Sequence, residues 1–243
     1  MAKIFITGSA DGLGYLAAKR LADQGHQVVL HARNAERAKE ALRKIPKAAG
    51  VLTADLSDME ETKRLASAVN TMDIFDAVIH NAGVYNQSSK TMFAVNTLAP
   101  YILTCLIEKP QRLIYLSSGM HLQGSSRLPE ATNLNHVTYS DTKLYVLLLS
   151  MAAARKWPDV YSNAVNPGWV PTKMGGKGAP DNLDKGAETQ AWLAVSSDDK
   201  AKVSGRYFFH KAEQQYHSDA NTINLQNGLL ELCEKISGVR FPG

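Results

Sequence analysis

Short β-branched runs alternate with helical apolar stripes along the whole of this 243-residue chain. The segments 3–7, 27–31, 50–56, 74–83, 111–117, 160–166 and 205–209 read as strands. The segments 12–24, 35–45, 58–70, 91–108, 138–156, 184–196 and 221–236 read as helices. Strands separated by helices cannot pair as hairpins; they need crossovers, which are right-handed and lay helices on both faces of a parallel sheet. No internal repeat, low-complexity tract or linker divides the chain, so a single α/β domain over 1–243 is expected. With 44% hydrophobic residues there is material for one large core.

The first strand hands over to the first helix through TGSADGLG, Thr7 to Gly14. Gly8 suits a tight exit turn, Gly12 lets backbone approach a ligand, and Gly14 lets the helix pack close to the sheet. Free N–H groups at a helix start, together with the helix dipole, favour a pyrophosphate. This places Gly8, Ser9, Asp11, Gly12, Leu13 and Gly14 at an expected dinucleotide site.

The second marked stretch is TYSDTKLYVLLLS, starting at Thr138. Tyr139 and Lys143 are one helical turn apart and share a face. Tyr15/Lys19 and Tyr207/Lys211 repeat that spacing. Tyr15 sits right behind the glycine turn, with Lys19 expected toward solvent, and Tyr207 falls on a strand with Lys211 beyond its end; only Tyr139 and Lys143 combine a helix with the C-terminal edge of the sheet, where ligands bind in open α/β folds. Thr138 is the expected N-cap, with Asp141 three residues on.

The glycine spacing TGxxxGxG resembles that of the short-chain dehydrogenase/reductase family. The resemblance extends over nearly the whole chain: Asp55 and Leu56 in ADLSD, HNAG with Asn81, Ala82 and Gly83, Asn96 in FAVNTLAP, Ser118 in LIYLSSG, YSDTK, and NPGWVPT with Pro167, Gly168, Val170 and Thr172. His80 departs from the usual NNAG. The long connection 119–137, SGRYF and the C-terminal LLELCEKISG look like the retinol-dehydrogenase and WW-domain-oxidoreductase-like branch of that family. The resemblance implies a Rossmann fold, doubly wound and mainly parallel, with strand order 3-2-1-4-5-6-7. It implies an oxidoreductase with Tyr139 as general acid/base, tuned by Lys143, which also holds the nicotinamide ribose. An ammonium one turn away and an oxidised nicotinamide ring are expected to lower the phenol's pKa. Ser118, rather than Ser117, is implied to bond the substrate oxygen, and Asn96 to hold a water that feeds protons through Lys143. Asp55 is implied to contact adenine, and Thr172 the carboxamide or a phosphate.

The second strand ends VVLHARN, with Arg33 where NAD-preferring sites carry an acid. A guanidinium grips a 2′-phosphate bidentately, so NADP(H) is favoured over NAD(H). Asp11 counts against this, since many NADP-using relatives carry a base there. The segment 173–187 is expected to form a substrate lid. Tyr85, Gln123, Trp169 and Met174 are expected at the substrate, with Met120, His121 and Leu122 nearby, and their apolar character suits a hydrophobic ketone, aldehyde or alcohol. A structural role is favoured for His121.

A net charge of +4 without basic runs argues against nucleic acid. Cys105 and Cys233 form no zinc or disulfide pattern, and no metal site is expected. The N-terminal stretch is too short for a signal peptide and no apolar run reaches a membrane span, so a cytoplasmic location is expected. A homodimer remains open: the family's helix after Asn96 is a turn shorter here, while the apolar run 144–149 offers a surface. A non-catalytic NADP(H) sensor is the competing reading; a nucleotide-sugar epimerase fits less, for want of TGxxGxxG and a larger C-terminal region.

Overall fold

A computed structural model describes residues Met1–Gly243. The elements run β1 (Lys3–Ile6), α1 (Gly12–Asp23), β2 (Gln27–Ala32), α2 (Ala35–Lys44), β3 (Gly50–Thr53), α3 (Met59–Asn70), β4 (Ala77–His80), α4 (Ser89–Phe93), α5 (Ala99–Leu106), β5 (Arg112–Leu116), α6 (Tyr139–Lys156), β6 (Tyr161–Asn166), α7 (Leu183–Val195), β7 (Arg206–Phe209), β8 (Ala212–Glu213) and α8 (Ile223–Ser237). The sheet order is β3-β2-β1-β4-β5-β6-β7-β8. Strands β1 to β7 pair in parallel; β8 folds back antiparallel on β7 through a turn with positive φ at His210 and Lys211. Two residues are too few to carry a period, which is why β8 escaped the sequence pattern.

Two apolar layers sandwich the sheet. One face packs α1 and α7, with Ile4, Ile6, Leu30 and Ile79 pointing to it. The opposite face packs α3, α5, α6 and α8 over Phe5, Val29, Val78 and Tyr115. Alternate residues of one strand therefore feed different layers, as a sheet covered on both sides demands.

The expected helix 91–108 is not continuous. A π-helical turn spans Ala94–Leu98 between α4 and α5 and holds Asn96. Such turns insert a residue into the i→i−4 ladder and concentrate at functional sites, and periodicity cannot show them. Helix α6 is buried from Ser140 to Ala153, covered by α8 and the π-helical turn and capped at its far end by Phe241 against Trp157. The run 144–149 is thus core of this chain and offers no surface to a second copy. No helix is long and apolar enough to cross a membrane.

Candidate active site

A cavity of about 470 Å³ opens along the C-terminal ends of the central strands. The glycine turn forms one end. Gly8 has φ +64, and a Cβ there would sit 2.9 Å from Ala82 Cα. At Gly14 a Cβ would meet Gly8 O at 2.5 Å, so the helix can approach the turn only because Gly14 has no side chain. The turn is braced from both neighbours. Asn81 Nδ2 donates to Thr7 O at 2.9 Å, and Ala82 N donates to Thr7 Oγ1 at 3.0 Å. From β2, buried His31 accepts from Gly8 N at 3.0 Å and bonds Ala54 O at 3.0 Å through its other nitrogen. Burial holds the His31 imidazole neutral, its pKa lowered to about 4. Ser9 bonds Ile6 O and His31 N, which makes it part of this brace rather than of the cavity wall.

Asp11 caps α1 by accepting from Gly12 N. The N–H groups of Leu13 and Gly14 have no hydrogen-bond partner in the protein, so the helix start keeps donors for an anion. The charge of Asp11 is answered twice. Lys173 lies 2.5 Å and Arg37 3.3 Å from its carboxylate, and the Lys173 hydrogen bond leads in pulling its pKa below the usual carboxylate range. With Arg33 also on the wall, this end carries three cations, Arg33, Arg37 and Lys173, against two acids, Asp11 and Asp55. Arg37 is the residue that sequence reasoning missed here; its spacing, one turn beyond Arg33, was the available signal. Asp55 and Leu56 line the same end. Burial opposes ionisation of Asp55, but two Ser57 donors and the charge of Arg33 leave its pKa lowered.

The other end holds Tyr139 and Lys143. Thr138 and Asp141 form a capping box at the start of α6, and Asp141 Oδ1 also accepts from Ser125 N, pinning the long 119–137 connection. Tyr139 begins the helix, half-buried, with its hydroxyl 4.0 Å from Met174 Sδ. Lys143 is buried, with Nζ donating to Leu116 O at 2.8 Å and lying 5.5 Å from the Tyr139 ring centre. Its other two ammonium hydrogens have no protein partner and face the cavity. Desolvation lowers the Lys143 pKa to about 8. Desolvation also raises Tyr139 to about 12, opposed by a hydrogen bond from Ser118. The protein's own groups therefore move the phenol upward, opposite to the lowering expected from the lysine: burial leads, and Ser118, not Lys143, is what offsets it.

The two serines separate cleanly. Ser117 is buried and donates to Lys143 O at 2.8 Å, a backbone brace. Ser118 Oγ accepts from Met120 N at 3.2 Å, and its side chain lowers the pKa of the Tyr139 phenol. Asn96 is saturated by protein: Oδ1 accepts from Val84 N at 2.7 Å, and Nδ2 donates to Val84 O and Thr142 Oγ1. Its amide holds the HNAG loop against α6, close to Gly83 and Lys143 Nζ. His80, the departure in that motif, lies in the core stacked on Tyr115, and desolvation lowers its pKa to about 3.

Gly83, Pro167, Thr172 and Met174 line the cavity, while Val170 and Gly168 shape the loop from behind. Gly168 has φ +85 and abuts Asp181, whose carboxylate accepts from Trp169 N at 2.6 Å. Residues 183–187 of the expected lid are the first turns of α7, because Asn182 caps that helix; only 173–182 are loop. Tyr85 meets the Tyr139 ring edge-on at 4.9 Å. Gln123 and Trp169 are exposed and do not line the cavity: Gln123 ends a 3-10 turn, and the Trp169 indole is tied to Gly175 O. No group of three His, Cys, Asp or Glu side chains converges as metal ligands.

The family model for short chain dehydrogenase matches residues 2–182. The chain is 45% identical over 256 residues to the oxidoreductase AN7799 of Emericella nidulans, covering 100% of both. Among solved structures it is similar to a protein of Mycobacterium Paratuberculosis, with a TM-score of 0.84 at 22% identity over 100% of this chain and 96% of that one. It is also similar to a short chain dehydrogenase from Burkholderia cenocepacia J2315 in complex with NADP, with a TM-score of 0.70 at 18% identity over 87% and 98%.

Proposed function

The chain belongs to the short-chain dehydrogenase family and is an oxidoreductase; from that premise we propose that it moves hydride between NADP(H) and a hydrophobic ketone, aldehyde or alcohol, with Tyr139 as general acid/base. One observation carries the reading. A helix start with unpartnered N–H groups and a Tyr–Lys pair with unused ammonium hydrogens face the same cavity.

The donor set fits a dinucleotide. Leu13 and Gly14 N–H suit the pyrophosphate, Arg33 and Arg37 a 2′-phosphate, and the two spare hydrogens of Lys143 suit ribose hydroxyls. Asp11 does not spoil the phosphate end, because Lys173 and Arg37 already hold its charge. Bound nicotinamide supplies or accepts the hydride. In reduction, Tyr139 donates its proton to the carbonyl oxygen as the carbon gains hydride, and Ser118 donates a hydrogen bond to the same oxygen. A phenol raised to about 12 is protonated at neutral pH and ready to donate. Lys143, at about 8, stays mostly charged there and stabilises the phenolate that forms. The loop 173–182 serves as the lid, since Met174 already lies over the Tyr139 hydroxyl. Buried, unpaired Cys105 and Cys233 suit a reducing, cytoplasmic setting.

The test is consumption of NADPH, followed at the reduced nicotinamide band, with a panel of hydrophobic ketones that includes isatin. Turnover in the native chain and its loss in Tyr139→Phe, with NADPH binding retained, is the expected result. Equal turnover by the two proteins would remove Tyr139 from the chemistry. A chain that binds NADPH but turns over no ketone or alcohol would support the sensor instead.

A further inference from the structure

Behind Ser118 sits an imidazole that the scheme above does not use. His121 is 1% exposed, on the 3-10 turn Gly119–Gln123. Its Nδ1 lies 2.6 Å from the Ser118 carbonyl oxygen and 3.2 Å from the Tyr207 hydroxyl. Its Nε2 lies 3.2 Å from the backbone nitrogen of His217. A backbone N–H only donates, so Nε2 must hold the lone pair facing it. The ring's one proton is then on Nδ1 and points to the Ser118 carbonyl, with the Tyr207 oxygen as a second acceptor. The His121 backbone N–H donates to the same carbonyl at 3.1 Å. One residue therefore supplies two donors to one peptide oxygen.

We propose that His121 is a positioning residue for Ser118. Ser118 stands in extended backbone, φ −165 and ψ 156, between β5 and the turn. Its hydroxyl accepts from Met120 N, which leaves the hydroxyl proton for Tyr139 or a substrate oxygen. Fixing the Ser118 peptide plane fixes where that hydroxyl points. The imidazole ties the plane to β7, where Tyr207 is buried with its ring 4.7 Å away, and to the backbone at His217. Local sequence alone would hold Ser118 by only the turn's backbone bond; the ring anchors it to a strand almost ninety residues on. This rests on Ser118 as the donor to the substrate oxygen.

The experiment is a double-mutant cycle on the full chain, with NADPH and isatin as probes. His121→Leu should lower kcat roughly tenfold or more, the worth of one well-placed hydrogen bond at the reacting oxygen. NADPH affinity, read by fluorescence, should stay within about twofold, because no cofactor contact is involved. His121→Asn puts an amide nitrogen where Nδ1 was and should recover most of the loss. In a Ser118→Ala background, His121→Leu should cost nothing further. The proposal is overturned if His121→Leu costs the same factor with and without Ser118, or if His121→Asn is no better than His121→Leu. Ser118→Ala at native kcat would instead remove the Ser118 reading itself, a separate outcome. Should His121→Leu not fold, His121→Gln takes its place. Its amide reaches the Nε2 position and leaves the Ser118 carbonyl without a side-chain donor, so the same loss is expected.

Discussion

The two ends of the cavity are built by different physics. The phosphate end relies on backbone and exposed charge: glycines pressed against Ala82 and Asn81, free helix N–H groups, and Arg33, Arg37 and Lys173 near water. The catalytic end relies on burial: Lys143 is 4% exposed, and both it and Tyr139 are shifted by desolvation. Exposed charges are screened and individually weak, whereas buried ones are few and strongly perturbed. Losses at the phosphate end should therefore be moderate, salt-sensitive and confined to cofactor affinity. Losses at the catalytic end should be large, insensitive to salt and expressed in kcat.

The largest expected effect is Tyr139→Phe, which should lower kcat by roughly 10²- to 10⁴-fold while NADPH affinity is kept. A fall in affinity of comparable size would erase the division between the two ends. Next, Arg33→Ala should raise the KM for NADPH by about 10- to 100-fold and that for NADH far less, at unchanged kcat. Equal effects on both cofactors would remove Arg33 from the 2′-phosphate.

The pH profile sharpens the contrast. Desolvation depresses Lys143, so it is charged below about 8 and neutral above. Ketone reduction should decline as pH rises through about 8, as the phenolate loses its cationic neighbour. Stability runs the other way. The unfolded chain binds more protons on this lysine between about 8 and its ordinary value, so the buried ammonium's cost falls as pH rises through that window. Activity and stability measured from pH 7 to 10 should therefore move in opposite directions for this group. Lys143→Met should abolish both trends.

The smallest effect belongs to the Asp11–Lys173 pair, with Lys173 84% exposed. Lys173→Ala should speed NADPH release by about two- to fivefold at low salt and less at high salt. Stopped-flow release that does not depend on salt would break the picture of a screened strap.

Much of the fold was legible because helix and strand periods are written locally. The capping box of Thr138 and Asp141 could be read from neighbours three residues apart. The π-helical turn at Ala94–Leu98 and the two-residue β8 could not. One is a single inserted residue within an unbroken apolar pattern, and the other is too short to have a pattern. The glycine turn, Tyr139 and Lys143, read from residue type and spacing, do meet at one cavity. Gln123 was misplaced because its turn faces outward, a matter of how the long 119–137 connection docks on α6.

The chain's order of strands, helices, glycines and the Tyr–Lys pair was settled by residues within a few positions of one another. Pattern and steric freedom act along the backbone, so they survive being read one residue after the next. What only the tertiary structure decided is which charges meet and which groups lose water. Asp11 finds Lys173 across 162 positions, His31 clamps Gly8, and Tyr139 and Lys143 are shifted by burial. Coulomb attraction and desolvation depend on distance through space and on depth beneath the surface, and neither is fixed until the sheet closes.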